Sequence, residues 1–203
     1  MGHRLKIIAG EVNYLSGKRG RENRRGFWLW KTEDEAGIPV TRVWSSDLGF
    51  GYHSFLGRAL TYLTFLKSAF FDALFGERPE IVIASSPPFF LGVVAYLVAK
   101  MRRARFIFEV RDLWPDELIE LHGLKNKFLI WIALGLEKFL YGRAERIVVN
   151  SPGLKRFLIQ EKGILGDKIG VVKNPVEFKA VGGKRKTAVF KTAEGRTLGA
   201  NDF

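Results

Sequence analysis

Cysteine is absent from this sequence of 203 residues, and its absence excludes several classes of protein. A chain without thiols has no disulfide scaffold, no thiolate nucleophile, and no zinc or iron–sulfur site that needs Cys. Histidine is scarce as well: His3, His53 and His122 lie far apart, so a His-rich metal site is not expected. The sequence also lacks the glycine-rich phosphate loops and the zinc-protease and serine-hydrolase motifs. We therefore expect no metal and no cofactor.

Acidic residues are few: 21 Asp and Glu face 33 Lys and Arg, which gives a formal net charge of +12. Such an excess favours an anionic partner, whether nucleic acid, acidic lipid or a phosphorylated substrate. Nucleic-acid binding rests on charge alone, because the sequence has no helix-turn-helix and no aromatic RNA-binding motif. Hydrophobic residues make up 47% of the chain, enough for a sizeable core, so a wholly disordered protein is excluded.

No apolar leader precedes residue 5, which favours a cytoplasmic location. The longest run without a charged residue covers residues 81–99, and a run of that length can span a bilayer. Pro87 and Pro88 stand in its middle, where they remove two amide donors and break any single helix. We therefore predict a buried strand, a turn and a helix in this run instead of a membrane-spanning segment.

Short runs of β-favouring residues alternate with helix-length stretches from residue 79 onward. The runs are IVIASS (81–86), FIFEV (106–110), RIVVNS (146–151) and IGVVKN (169–174). Continuous Val, Ile and Phe runs are typical of parallel strands that are buried on both faces. The pattern predicts an α/β fold, a Rossmann-like open parallel sheet with helices on both faces.

The remainder of the chain is less regular. RLKIIA (4–9) predicts a strand, FWLWKTE and IPVTRVWSS predict a hairpin or a strand pair, and residues 55–75 predict a helix. From residue 179 the chain becomes basic, Gly-rich and weakly apolar, and the α/β alternation ends. We therefore predict one domain over residues 1–178 and a basic flexible tail over residues 179–203.

Polar residues follow the predicted strands, where ligands bind in open α/β sheets. Ser85 and Ser86 close one strand and Ser151 follows another, and for these serines helix capping is the more ordinary role. Arg111 and Asp112 are more informative, because charges at the end of a buried strand must pair or meet a ligand. Arg111 suits a phosphate or carboxylate and Asp112 suits a hydroxyl, whereas a local ion pair that stitches the loop is equally compatible.

Several segments together resemble a known family. IVIASSPPFFLGVVAYLVA, FIFEVRDLWPDE, EKFLYGRAERIVVNSPGLKRFL and VVKNPV are similar to the N-terminal domain of family 4 glycosyltransferases. The opening GHRLKIIAGEVNYLSGK is similar to the second strand and loop of those enzymes. Within the family, the sugar transferases of bacterial O-antigen and colanic-acid assembly are the nearest in pattern. The resemblance covers residues 2–178.

The resemblance implies one half of a GT-B architecture, in which two Rossmann-like halves face each other across a cleft. In such enzymes the N-terminal half binds the acceptor, the C-terminal half binds the nucleotide sugar, and transfer retains the anomeric configuration without an obligatory metal. By matching position, Arg111 and Asp112 would lie in the cleft near the acceptor, with Asp112 as the candidate catalytic residue. Acceptor-binding positions would be Asn13, Ser85, Ser86, Arg111 and Ser151.

Two departures from the family pattern qualify this expectation. The first strand, Gly-rich loop and helix of the family do not precede the GHRLKII strand, and no donor domain with its pair of Glu residues follows Val176. We therefore expect a chain that is truncated at both ends, lacks its first βα unit, and is inactive by itself. A nucleotide sugar would bind only if a C-terminal domain were supplied, so the sequence leaves open whether this chain is itself an enzyme.

The charge pattern adds a membrane alternative. Acceptors of this family are typically sugars on lipid pyrophosphates, which implies surface-polysaccharide biosynthesis at the inner face of the cell membrane. Helix 55–75, with the cations Arg58 and Lys67, and the basic clusters 18–25 and 102–105 suit an anionic lipid surface. The ordinary interpretation is that helix 55–75 packs on the sheet. A non-catalytic module that binds an anionic membrane or a lipid-linked sugar is the alternative function.

Overall fold

The computed structural model describes residues 3–10, 30–35, 37–46, 55–116, 119, 125–173, 190–191 and 197–198. The chain divides into two compact units, Met1–Lys173 and Asn174–Phe203. All elements of the predicted α/β pattern lie in the first unit.

A small mixed sheet forms the amino-terminal part of the first unit. Its strands are β1 (Ile7–Gly10), β2 (Trp30–Glu35) and β3 (Ile38–Val43). The central strand β3 runs parallel to β1 and antiparallel to β2. Gly37 makes the turn between β2 and β3 with a φ of 81°, and its N–H donates to Asp34 Oδ1 at 2.8 Å. The predicted strand and strand pair are confirmed.

The helix α1 (Phe55–Phe75) packs against β1 and β3. The Thr61 hydroxyl donates to the carbonyl of Ser46 at 2.7 Å, which ties α1 to the end of β3. The buried carboxylate of Asp72 pairs with Lys6 Nζ at 2.8 Å, just before β1. The ordinary interpretation, in which this helix packs on the sheet, is confirmed, although Phe75 at its end is exposed.

The larger sheet is wholly parallel and has the strand order β4-β5-β6-β7. Its strands and connecting helices are β4 (Ile81–Ser86), α2 (Leu91–Arg102), β5 (Arg105–Val110), α3 (Lys127–Arg143), β6 (Arg146–Val149), α4 (Pro152–Gln160) and β7 (Ile169–Val171). The α/β class and the parallel sheet are confirmed, and residues 81–99 form the predicted strand, turn and helix. Of the helices in the described part of the chain, none is long and apolar enough to cross a membrane.

The core lies on one face of this parallel sheet. The register aligns Ala84, Phe108, Ile147 and Ile169 across the four strands, and all four are almost inaccessible. Buried residues of α2, α3 and α4 belong to the same cluster. Right-handed crossovers between sequential neighbouring strands place all three helices on this face. On the opposite face, Ile83 of β4 remains 61% exposed, so the prediction that this strand is buried on both faces is wrong.

Close approach of α2 to the sheet requires glycine at position 92. A Cβ there would lie 2.8 Å from Phe108 Cε2 and 2.9 Å from Leu140 Cδ1, closer than carbon atoms approach. The absence of a side chain therefore lets Phe108 and Leu140 fill the space below α2.

The predicted capping role is confirmed for Ser151 but is wrong for Ser85 and Ser86, because the N-cap of α2 is Phe90, which forms no side-chain cap. The Ser151 hydroxyl accepts from the N–H of Leu154 at 3.1 Å, Pro152 occupies the first turn of α4, and Gly163 follows with a φ of 66°. In α3 the Asn126 Oδ1 accepts from the N–H groups of Phe128 and Leu129 at 3.0 and 3.2 Å. These caps place the starts of both helices, and so they also place the loops that precede them.

The basic cluster 102–105 has a structural role. Arg102 donates to the carbonyl of Gly76 at 2.8 Å, Arg103 ends α2 in the left-handed conformation, and Arg105 forms a bidentate ion pair with Glu145. The hydrogen bond and the charge of Arg105 lower the pKa of the Glu145 carboxyl. These residues lie at the amino end of β5, away from the carboxyl edge of the sheet.

In the second unit the structure describes one antiparallel pair, β8 (Phe190–Lys191) with β9 (Thr197–Leu198). The predicted flexible tail covers residues 179–203. Apart from the β8–β9 pair, these residues lie outside the described part of the chain.

Candidate functional site

The candidate residues that the structure describes lie at the carboxyl edge of the parallel sheet. Ser86 closes β4, Arg111 and Asp112 follow β5, and Ser151 follows β6 with Asn150 before it. These strands are parallel neighbours, so their carboxyl ends form one side of the sheet, where ligands bind in open α/β folds. Asn13, the remaining predicted position, lies outside the described residues.

Arg111 and Asp112 present opposite charges to solvent. Both residues are exposed, and among the described residues neither side chain forms an ion pair. The alternative of a local Arg–Asp ion pair is therefore not formed within the described part. The loop is tied instead by Asn150, whose Nδ2 donates to the carbonyl of Arg111 at 3.1 Å. Both charged side chains thus remain open to a ligand.

Ser85 and Ser86 lie on opposite faces of the sheet, because successive side chains of a strand alternate. Ser86 aligns with Val110 on the core face, is 1% exposed, and its hydroxyl has no hydrogen-bond partner among the described residues. Ser85 aligns with Glu109 on the other face and is half-buried. The two hydroxyls therefore do not line one common surface.

Ser151 serves the helix it precedes. Its hydroxyl oxygen accepts the N–H of Leu154, the capping role that the sequence favours for it. The hydroxyl hydrogen remains available for donation to an acceptor oxygen.

An aromatic clamp joins the loops after β4 and β5; we use this name for Phe89, Phe90 and Trp114. The Trp114 ring stacks on Phe89 with centroids 4.4 Å apart and contacts Phe90 edge-on at 5.9 Å. Phe89 in turn packs edge-on against the core residue Phe108 at 5.5 Å. The clamp therefore supports the loop that carries Arg111 and Asp112. The sequence analysis did not identify the two Phe residues as supports of this loop.

A buried charge cluster supports the same loop from the other side. Lys162 Nζ, just after α4, lies 2.6 Å from Asp116 Oδ2 and donates to Glu137 Oε2 at 3.0 Å. The side chains of Lys162 and Glu137 are only 15% and 6% exposed. Asp116 ends the β5 loop and Glu137 belongs to α3, so one ammonium group connects the loop with two helices. Sequence reasoning missed this cluster; the available signal was a single Glu within an apolar stripe of a helix.

Burial shapes the titration of this cluster. Burial raises the pKa of Glu137 above its ordinary value, although the hydrogen bond and the charge of Lys162 act in the opposite direction. Burial lowers the pKa of Lys162, but its bonds to Asp116 and Glu137 outweigh that effect and leave its pKa raised. Burial and the nearby Glu137 charge raise the pKa of Tyr141 far above its ordinary value. The ammonium of Lys162 is thus the stable form that binds the loop.

Comparison with known proteins supports a specific family. The model of the glycosyl transferase 4-like domain matches residues 1–175. No curated protein matches the chain. Among solved structures, a crystal structure of HepE from Anabaena in complex with UDP-glucose is similar, with 15% sequence identity and a TM-score of 0.43. That alignment covers 85% of this chain and 44% of the other, so this chain spans less than half of that structure.

Proposed function

We propose that this chain, which belongs to the family of glycosyl transferase 4-like domains, forms the acceptor-binding half of a retaining glycosyltransferase. Transfer would proceed from a nucleotide sugar bound by a second, donor-binding half of a GT-B architecture. The acceptor would be a saccharide, lipid-linked in surface-polysaccharide biosynthesis.

The unpaired charges of Arg111 and Asp112 are the observation that carries this proposal. They project from the carboxyl edge of the parallel sheet, on a loop that the aromatic clamp and Lys162 support from two sides. A carboxylate there orients an acceptor hydroxyl or accepts its proton as the oxygen bonds to the anomeric carbon, while the bond from that carbon to the phosphate of the nucleotide sugar breaks and the nucleotide leaves with the electron pair. The Arg111 guanidinium suits the phosphate oxygens of a lipid-linked acceptor. A rigid support matters because small displacements of such groups lower transfer rates strongly.

The alternative function is a non-catalytic module that binds a lipid-linked sugar or an anionic membrane. Such a module would bind the acceptor without taking part in sugar transfer. The two functions differ in what Asp112 does. In the enzyme, Asp112 contributes to turnover; in the binding module, it contributes to affinity at most.

The binding preference of the purified chain tests the proposal. We expect ligand-observed NMR to detect binding of oligosaccharides that have been released from lipid-linked precursors. For a panel of nucleotide sugars, we expect the same measurement to detect no binding. We also expect no sugar transfer by these 203 residues unless a donor-binding domain of a related enzyme is supplied, because donor and acceptor must be held together. Binding of nucleotide sugars without saccharides, or transfer by the chain by itself, would contradict the proposed role.

The variant Asp112→Asn tests the catalytic assignment. In the chain supplied with a donor-binding domain, we expect kcat to fall on the order of a hundredfold, because an amide neither accepts a proton nor holds a charged hydrogen bond. The melting temperature should stay unchanged, since Asp112 is exposed.

The control for this variant is Asp167→Asn. Asp167 is another exposed Asp, but it lies just before β7, at the opposite edge of the sheet. Its replacement should leave kcat unchanged. Equal kcat values for Asp112→Asn and the unmodified protein would remove Asp112 from catalysis and favour the binding module.

A further inference from the structure

The solvent-facing side of α3 is apolar. We define the α3 outer face by the residues Phe128, Trp131, Ile132, Gly135 and Phe139. At 100° per residue these positions lie on the side opposite Ala133, Glu137 and Leu140, which are buried against the sheet. Trp131 and Phe128 are 71% and 65% exposed, and their rings stack with centroids 6.3 Å apart. Nothing lies within 4 Å of a Cβ built on Gly135, so the face is open between its aromatic residues.

Along α3, the exposed charges of the described residues are of one sign. Of the described residues from 125 to 143, the exposed charged ones are Lys125, Lys127, Lys138 and Arg143. The single acid of α3, Glu137, is buried and bound to Lys162. Large exposed aromatic residues with a cationic border are unusual on a monomeric domain, and they mark an interaction surface.

We infer that the α3 outer face docks on an anionic lipid bilayer. Phe128 and Trp131 would enter the boundary between headgroups and acyl chains, and the lysines would bind lipid phosphates beside them. This docking rests on the proposed function and extends it. It names the surface that would bring the acceptor-binding edge to an acceptor held in the membrane.

The arrangement of charge favours a bilayer over another copy of the chain. A second copy placed on this face across a two-fold axis would bring the lysines of one helix toward those of the other, with no exposed acid on α3 to pair them. An anionic bilayer supplies both an apolar layer for the rings and phosphates for the cations. The chain as a whole carries a net charge of +12, which attracts it to such a surface.

Vesicle sedimentation with the full 203-residue chain tests this docking. We expect binding to vesicles of phosphatidylcholine with phosphatidylglycerol, no binding to phosphatidylcholine alone, and weaker binding as salt is raised. The double variant Phe128→Ser/Trp131→Ser should lower the partition coefficient by about tenfold or more, because two aromatic rings no longer enter the lipid. Lys125→Glu/Lys127→Glu should lower it on the order of tenfold as well.

Matched controls alter exposed residues elsewhere. Leu63→Ser/Phe75→Ser removes two exposed apolar side chains of α1, and Lys67→Glu/Lys173→Glu makes the same change in net charge outside α3. Each should leave more than about half of the binding intact. The docking inference is wrong if the controls lose as much binding as the α3 variants, or if the unmodified chain binds neither kind of vesicle. It is equally wrong if the chain is a dimer that Phe128→Ser/Trp131→Ser dissociates.

A second measurement needs no disruptive variant. Brominated phosphatidylglycerol should quench the fluorescence of Trp131. The contribution of Trp131 is the part of the total quenching that is lost in the variant Trp131→Phe. These vesicles contain no saccharide, so this test does not depend on glycosyl transfer. Conversely, transfer to a water-soluble saccharide tests the proposed function without a membrane. Failure of the docking and failure of the proposed function therefore give different results.

Discussion

Replacing Lys162 by methionine is expected to lower the free energy of unfolding by about 3–5 kcal/mol. The replacement retains most of the apolar stem but removes the ammonium that pairs Glu137, which is 6% exposed, with Asp116. A buried carboxylate then lacks its partner, and this is the main reason for the loss. Urea unfolding of the two proteins at neutral pH measures the difference.

The loss should depend on pH in a defined direction. The pKa of Glu137 is raised in the folded chain, mainly by burial, so the folded state binds this proton more tightly than the unfolded state does. The charged Glu137 carboxylate therefore lowers the free energy of unfolding at pH values above its raised pKa. This destabilisation disappears as the pH falls through that pKa and the carboxylate becomes protonated. Without Lys162 that pKa rises further, because the hydrogen bond and charge that lowered it are gone. The difference between Lys162→Met and the unmodified protein should thus shrink in mild acid.

Two further variants make the Lys162 experiment specific. Adding Glu137→Gln to Lys162→Met should recover part of the stability, because the unpaired charge is removed. Lys138→Met, which changes an exposed lysine beside Glu137, should change stability by less than about 0.5 kcal/mol. A similar loss for Lys138→Met and Lys162→Met, or a loss that is independent of pH, would show that the buried cluster does not stabilise the fold.

Truncation of Phe108 to alanine is expected to cost about 3–5 kcal/mol of unfolding free energy. Phe108 is fully buried at the centre of the parallel sheet, where it contacts Phe89 and Tyr141 and fills the space that Gly92 leaves open. Collapse around the cavity is limited, because sheet and helix backbones border the site on both sides. Urea unfolding measures this loss.

The comparison for Phe108 is Phe75→Ala. Phe75 is 78% exposed at the end of α1, so its truncation should cost less than about 0.5 kcal/mol. Phe108→Leu, which refills part of the space, should lose less stability than Phe108→Ala and provides the comparison if Phe108→Ala does not fold. Equal losses for Phe75→Ala and Phe108→Ala would contradict the assignment of Phe108 to the core.

Much of the α/β pattern is predictable because its signals are local. The Ile81–Ser86 strand is a short apolar run ended by Pro87 and Pro88, and α4 begins with Ser151 and Pro152. Each of these features acts within one or two turns of chain. The candidate site is predictable to the same extent: Arg111 and Asp112 follow a recognisable strand, and their sequence position alone places them at the carboxyl edge.

The tertiary structure decides which of these candidates are open to a ligand. Alternation along β4 separates Ser85 from Ser86, and capping occupies the oxygen of Ser151, although all three are polar residues next to strand ends. The sequence is also compatible with an ion pair between Arg111 and Asp112, whereas in the fold a side chain from the next strand end, Asn150, ties their loop. Such contacts depend on distance in space, which sequence position does not specify.

The sequence by itself determined the α/β class, the order of strands and helices, and the resemblance to family 4 glycosyltransferases. These follow from composition, hydrophobic periodicity and short motifs, each of which acts over a few residues. Only the tertiary structure decided that Lys162 meets Glu137 and Asp116, that Trp114 stacks on Phe89, and that Trp131 faces solvent. These arrangements arise when separate elements pack against one sheet. Burial is a property of that packing, and α3 is apolar on most of its circumference, so its sequence does not reveal which side faces outward.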